Sequence, residues 1–256
     1  MSEIARPTRQ ASLVPPGILL CLSMCLMALL PTASATQAEA RDIRFGTYDE
    51  FTLFNYDGEQ VKDDVLFVFH GFGSAMPNAA YDKLYQAFAE NFSIIGFNYD
   101  YFDFEENDAA MEAIWQGLLK NRNVVFAGTS LGGFWANYYA EKYGVERVIM
   151  VNPVVKPAEQ LRQFIGEYRA EKRDKDIIVT EEKVNRYADR TSPPKPGIDR
   201  LIFLSRDDKI LDYQLAKDAY SDAGNTVIIF DEGGHTVNLN QDRYLDPLRA
   251  FLLQSK

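Results

Sequence analysis

Along this chain, short runs of consecutive apolar residues alternate with stretches in which apolar positions recur every three or four. Val65-Leu-Phe-Val-Phe69, Ile94-Ile-Gly-Phe97, Val124-Val-Phe126, Val148-Ile-Met-Val151, Leu201-Ile-Phe-Leu204 and Val227-Ile-Ile-Phe230 are brief and uncharged. Such runs are typical of strands covered on both faces. Between them, helical spacing runs from Asn78 to Phe92, through Leu84, Phe88 and Phe92. It returns from Asn107 to Lys120, with Met111, Ile114, Trp115 and Leu118 on one face, and from Leu131 to Tyr143, which Gly144 ends. Tyr213 to Ala223 and Asp242 to Leu253 complete the set. This alternation predicts an α/β chain with a mostly parallel, doubly wound sheet and helices on both faces. Residues 43–55 alternate loosely (Ile43, Phe45, Phe51, Leu53) and predict one or two outer strands; Asp57-Gly58 marks a turn.

Residues 154–199 break the rhythm. Val154, Val155, Leu161, Phe164 and Ile165 precede a charge-dense run from Glu167 to Arg190, and Ser192-Pro-Pro-Lys-Pro-Gly197 returns the chain to the sheet. The expectation is a helical insertion lying over the site as a lid, with a plain solvated excursion as the alternative.

Composition changes this picture mainly at the N-terminus. Arg6 and Arg9, the apolar run Ile18 to Leu30, and Ala33-Ser34-Ala35 form the three parts of a secretory signal. The expected organisation is a signal peptide at 1–35 and one catalytic domain at 36–256, periplasmic or secreted, with no stable membrane insertion after cleavage. Cys21 and Cys25 both lie inside this leader, so the mature chain is expected to have no thiol chemistry, disulfide or Cys-based metal site. The formal net charge of -10 argues against nucleic acid as a partner. The oligomeric state is not readable from the sequence.

Candidate chemistry centres on Gly128-Thr-Ser-Leu-Gly132, set between the Val124–Phe126 strand and a helix. Strand, Gly-x-Ser-x-Gly, helix is the sequence form of a nucleophile elbow. A serine hydroxyl is a weak nucleophile and must be held exposed beside a base. The chain has two histidines. His235 follows the last strand in Asp231-Glu-Gly-Gly-His235, where such a fold places its base. An imidazole titrates near neutrality, so it can take the Ser130 proton and return it to a leaving group. The acid should follow the preceding strand, in Arg206-Asp207-Asp208-Lys209. Asp208 is the preferred partner for His235, with Asp207 the alternative, and Asp212 is expected to cap the helix at Tyr213. His70-Gly-Phe-Gly73 fits an oxyanion loop, with the Phe72 and Leu131 backbone N–H groups as donors. His70 itself reads as structural. No cofactor and no metal are expected, since two separated histidines without cysteine make a poor metal site.

These stretches together resemble the YqiA/YcfP-like esterases of the α/β-hydrolase superfamily. The resemblance runs from about Leu66 to Leu253. It is carried by His70-Gly-Phe-Gly-Ser74, Gly128-Thr-Ser-Leu-Gly-Gly-Phe134, Val151-Asn-Pro-Val-Val-Lys-Pro157, Asp208-Lys-Ile-Leu-Asp-Tyr213, Glu232-Gly-Gly-His235 and Tyr244-Leu-Asp-Pro247. It implies an α/β-hydrolase fold, a Ser130-Asp208-His235 triad, and esterase or acyl-thioesterase activity on a small-molecule substrate. Export would separate the protein from cytosolic acyl-CoA and so favours carboxylic esters. An acyltransferase on the same triad and a non-catalytic binding protein are the competing readings. Tyr99, Tyr101 and Phe102, in an acidic aromatic loop, are candidates either for the wall of an acyl pocket or for core.

Overall fold

The computed structural model describes residues 52–55, 57, 60–170, 175–191, 193–221 and 224–253. The predicted leader and the outer-strand residues before Thr52 lie outside them. In chain order the elements are β1 Thr52–Phe54, β2 Asp64–Phe69, α1 Ala79–Phe88, β3 Ser93–Asn98, α2 Phe104–Ile114, β4 Asn123–Thr129, α3 Leu131–Tyr143 and β5 Arg147–Val151. They continue with α4 Pro157–Gln160, β6 Gly166–Ala170, β7 Lys175–Val179, α5 Glu181–Asn185, β8 Asp199–Ser205, α6 Tyr213–Ala219, β9 Asn225–Phe230 and α7 Asp242–Leu252. A π-helical turn, Trp115–Leu119, extends α2, and 3-10 turns follow α4 and α5.

Seven strands form one sheet in the order β1-β3-β2-β4-β5-β8-β9. Only the β1–β3 pair is antiparallel; the other five are parallel. The six apolar runs are therefore the parallel strands, as their lack of polar alternation predicts. The chain steps from β2 outward to β3 and then returns to add β4 on the other side of β2. A crevice opens beyond the carboxyl ends of strands where the winding reverses in this way, and ligands bind there. The loops after β2 and β4 border it.

The two faces of the sheet are filled differently. On one, Phe67, Phe69 and Phe126 meet edge-on or tilted at 5.3–5.7 Å. They join Trp135 and Tyr139 of α3 in a large aromatic core that also takes in α2, α6 and the 154–199 segment. The other face is largely aliphatic along the strands, through Leu66, Val68, Val125, Ala127 and Ile149, and is covered by α1 and α7. Helix ends follow local chemistry: Asn78 accepts from the Ala80 and Tyr81 amides to start α1, and Gly144, at φ 72°, ends α3. Asp212 caps α6 through the Gln214 amide, as expected.

The 154–199 segment departs from the helical expectation. Alongside α4, α5 and the two 3-10 turns it contains an antiparallel hairpin, β6–β7. Ile177 and Val179 are buried while Asp176 and Ile178 are exposed. That is a period of two, and the density of charge around it masks the pattern in the sequence.

Candidate active site

Ser130 sits between β4 and α3 with φ 59° and ψ -123°, one of two non-glycine residues at positive φ among those described. Such a conformation costs about 1–3 kcal/mol and persists only where the surroundings impose it. Here they do. The Ser130 N–H donates to the Val151 carbonyl at 2.9 Å, and its own carbonyl accepts from Gly133 and Val154 at 3.0 and 3.1 Å. Gly128 and Gly132 let the turn close. A methyl on Gly128 would lie 2.1 Å from the Gly132 carbonyl oxygen, and one on Gly132 2.3 Å from the Phe69 oxygen. The Gly-x-Ser-x-Gly spacing is thus a steric requirement of strand, turn and helix meeting the end of β2.

His235 lies on an irregular segment after β9. Its Nδ1 is 2.8 Å from Asp208 Oδ2, so the preferred acid is the one that meets the imidazole. The Asp208 side chain is 1% exposed, that of His235 18%. Burial alone would raise the Asp208 carboxyl, but hydrogen bonds from His235, Ile210 and Leu211 outweigh it and hold the group below the usual carboxylate range. Asp207 has a different task. Its Oδ1 accepts from the Gly234 N–H at 2.8 Å, and that bond leads in holding its carboxyl low. Gly234, at φ 64°, makes the turn into His235.

A further residue holds this segment, one that motif reasoning did not single out. Asn152, at φ 41°, donates through Nδ2 to the carbonyls of Gly234 and His235 at 2.9 and 3.0 Å. Its Oδ1 accepts from the Ser205 N–H at 2.8 Å. One 3%-exposed amide thereby ties the ends of β5 and β8 to the histidine loop. The signal for it was an Asn-Pro that ends a strand on the rim where Ser130 also falls.

Phe72 lies on the loop after β2, and Leu131 opens α3. The first amide of a helix has no acceptor within that helix, so the Leu131 N–H is free of α3's own ladder. His70 is structural, as read: its Nδ1 bonds to the Gly71 carbonyl at 2.9 Å, and Nε2 accepts from the Tyr99 N–H at 3.4 Å. Its ring stacks on Tyr99 at 4.2 Å. Tyr99 OH donates to the His70 carbonyl at 2.5 Å and Tyr101 OH to the Ser74 carbonyl at 2.6 Å. Of the two expectations for Tyr99, Tyr101 and Phe102, the structure selects core, and these tyrosines brace the Phe72 loop from behind. From the inserted segment, Phe164 and Tyr168 pack on the Phe72 ring at 5.4 and 6.0 Å.

Ser130, His235, Phe72 and Gly71 line one cavity of about 290 Å³. The Ser130 hydroxyl and the imidazole share it without a hydrogen bond between them. Such contacts often tighten only when substrate is bound. Among the described residues, no group of three or more His, Cys, Asp or Glu gathers as a metal site.

The chain belongs to the Uncharacterised protein family (UPF0227), whose model matches residues 65–253, the span over which the sequence resembles YqiA/YcfP-like esterases. Its fold is that of the α/β hydrolases. Est1E from Butyrivibrio proteoclasticus superposes with a TM-score of 0.58 at 15% identity, covering 79% of this chain and 92% of that one. The mouse alpha/beta hydrolase domain-containing protein 10 gives 0.57 at 14%, covering 77% and 90%. The esterase domain of a Rhodothermus marinus protein gives 0.56 at 14%, covering 79% and 89%. At these identities the likeness is one of fold.

Proposed function

We propose that this member of UPF0227 is a serine hydrolase that cleaves carboxylic esters through an acyl-enzyme, with Ser130 as nucleophile, His235 as base and Asp208 as its partner. The observation that carries the reading is the 2.8 Å bond from Asp208 to His235 Nδ1, made by an imidazole that opens onto the same cavity as a serine held at positive φ. With Nδ1–H committed to Asp208, Nε2 is the nitrogen left to accept the Ser130 proton. Ser130 Oγ bonds to the ester carbonyl carbon, and the oxyanion takes the Phe72 and Leu131 N–H groups. The carbon–alkoxy bond then breaks and the alcohol leaves with the proton from His235. Water, deprotonated by the same ring, attacks the acyl-serine; the acid departs and Ser130 regains its proton. The balance is ester plus water to acid plus alcohol. Asp208 holds the ring tautomer and stabilises the imidazolium, while Asp207 and Asn152 fix the loop that carries it.

Ser130→Ala should reduce p-nitrophenyl ester hydrolysis by a factor of about 10⁴ or more with an unchanged circular dichroism spectrum, and should abolish fluorophosphonate labelling. Wild-type rates in that variant would remove the reading. Products formed with added alcohols test whether transfer competes with hydrolysis. The leader at 1–35 supports action outside the cytoplasm. N-terminal sequencing of exported protein, with Thr36 expected as the first residue, checks that placement, and a mature chain beginning at Met1 would refute it.

A further inference from the structure

If Ser130 is the nucleophile, the cavity beneath it bears on which acyl group is presented to it. Its mouth is polar, formed by Ser130, His235, Thr129 and the loop after β2. Its body is apolar and runs down the aliphatic face of the sheet between α1 and α7. Val68, Ala127 and Ile149 of the strands, Leu84 of α1 and Leu248 of α7 wall it. Space exists because Ala79, Ala80 and Ala127 present only methyl groups. On the opposite face, neighbouring strand positions carry Phe67, Phe69 and Phe126, and the corresponding volume is filled. No Asp, Glu, Lys or Arg lines the cavity. Besides Ser130, His235 and Thr129, its polar side chains are those of His70, Ser74, Asn78 and Thr236, and the Asn78 amide is already engaged, its Oδ1 by the Ala80 and Tyr81 N–H groups and its Nδ2 by the Ser74 hydroxyl.

We propose that this slot binds the acyl chain and that the substrates are esters of medium-length aliphatic acids. The inference rests on the hydrolase reading above. An apolar cavity of about 150 Å³ holds a six-carbon ring. About 290 Å³ therefore suits an acyl chain of roughly eight to ten carbons. Each methylene moved from water into the slot is worth about fourfold in binding. Ala80, partly exposed in the first turn of α1, and Leu248, buried on α7, both line the slot, so the size of each side chain bears on how long a chain it takes.

The test measures kcat/KM of the full-length protein on p-nitrophenyl acetate, butyrate, hexanoate, octanoate and decanoate, for wild type, Ala80→Phe and Leu248→Ala. The wild-type profile should rise at least tenfold from acetate to octanoate. Ala80→Phe should lower the octanoate-to-acetate ratio at least tenfold, and Leu248→Ala should move the optimum to a longer chain. A flat wild-type profile, or an unchanged ratio in folded Ala80→Phe, overturns the slot while leaving the hydrolase reading intact. Calorimetric titration of Ser130→Ala with octanoate needs the slot but no turnover. Octanoate binding that Ala80→Phe, added to that background, removes supports the slot even if no ester is hydrolysed, in which case the hydrolase reading alone falls. Absence of binding in a folded Ser130→Ala protein counts against the slot.

Discussion

The loop that carries Ser130 and the loop that carries His235 both present one side chain to the same cavity, yet they are held by different means. The serine turn spans a few residues between two regular elements. Sterics fix it: Gly128 and Gly132 press against backbone oxygens, and backbone bonds clamp Ser130 on both sides. The histidine segment has no regular structure from Asp231 to Asn240. Side chains from elsewhere fix it, Asp207 and Asp208 after β8 and Asn152 after β5. The first loop owes its geometry to what is missing from its own sequence, the second to what distant residues supply. Damage to the first should therefore unfold the protein, whereas damage to the second should leave a folded protein that works badly.

The largest expected effect lies on the serine side. Gly132→Ala drives a methyl into the Phe69 and His70 carbonyls, which belong to the end of β2 and the loop after it and have little room to retreat. Overpacking against backbone puts it among the exceptional substitutions, at about 4 kcal/mol or more. Urea unfolding, or the soluble yield if none survives, measures it. A loss below about 1 kcal/mol would show that the turn is not sterically set.

On the histidine side, Asp208→Asn should leave stability at neutral pH within reach of wild type while kcat falls by roughly 10⁴, because an amide no longer enforces the Nδ1–H tautomer. A smaller split is expected at Asn152. Asn152→Ala removes three hydrogen bonds and should cost about 1–3 kcal/mol. The imidazole then loses its register, and a displacement of about 1 Å can cost 10²-fold in rate. The drop should fall on kcat rather than KM. If stability falls in Asn152→Ala while kcat holds, the amide is a strut for the sheet and not for the histidine.

The same contrast explains how much of the molecule could be read from its sequence. The six parallel strands and the helices between them were legible because their signals are local: continuous apolar runs, helical spacing, a capping aspartate, a terminal glycine. Ser130 was legible because its requirement, small residues two positions either side, is written beside it. His235 and Asp208 were found through strand order, which sequence pattern supplies. Asp208 could be preferred over Asp207 from the residues that follow it, but the task of Asp207 was not legible, since its acceptor role toward Gly234 depends on what it faces 27 residues away. Asn152 was missed as a brace because its partners lie 53, 82 and 83 residues away. The β6–β7 hairpin was missed because its alternation occupies few residues amid many charges. The cavity was beyond sequence altogether, because an alanine in a helix or strand does not say whether a neighbour fills the space it leaves.

The smallest effect concerns acid. Asp207 and Asp208 are both held below the usual carboxylate range, chiefly by donors on or near the histidine loop in the first case and against opposing burial in the second. A carboxyl with a depressed folded-state pKa contributes stability above its unfolded value, near 3.9, and loses it as pH falls through the folded value. The histidine loop should therefore loosen below about pH 4. The serine turn, residues 127–133, contains no carboxylate and has no such dependence of its own. The Gly234 amide, which donates to Asp207, reports this directly. Its proton and nitrogen shifts should titrate in the acid range below the ordinary aspartate value and cease to do so in Asp207→Asn. The amides of Gly132 and Gly133 should hold their shifts over the same range. If Gly132 and Gly133 moved together with Gly234, the two loops would be one cooperative unit rather than two separately supported halves of a site.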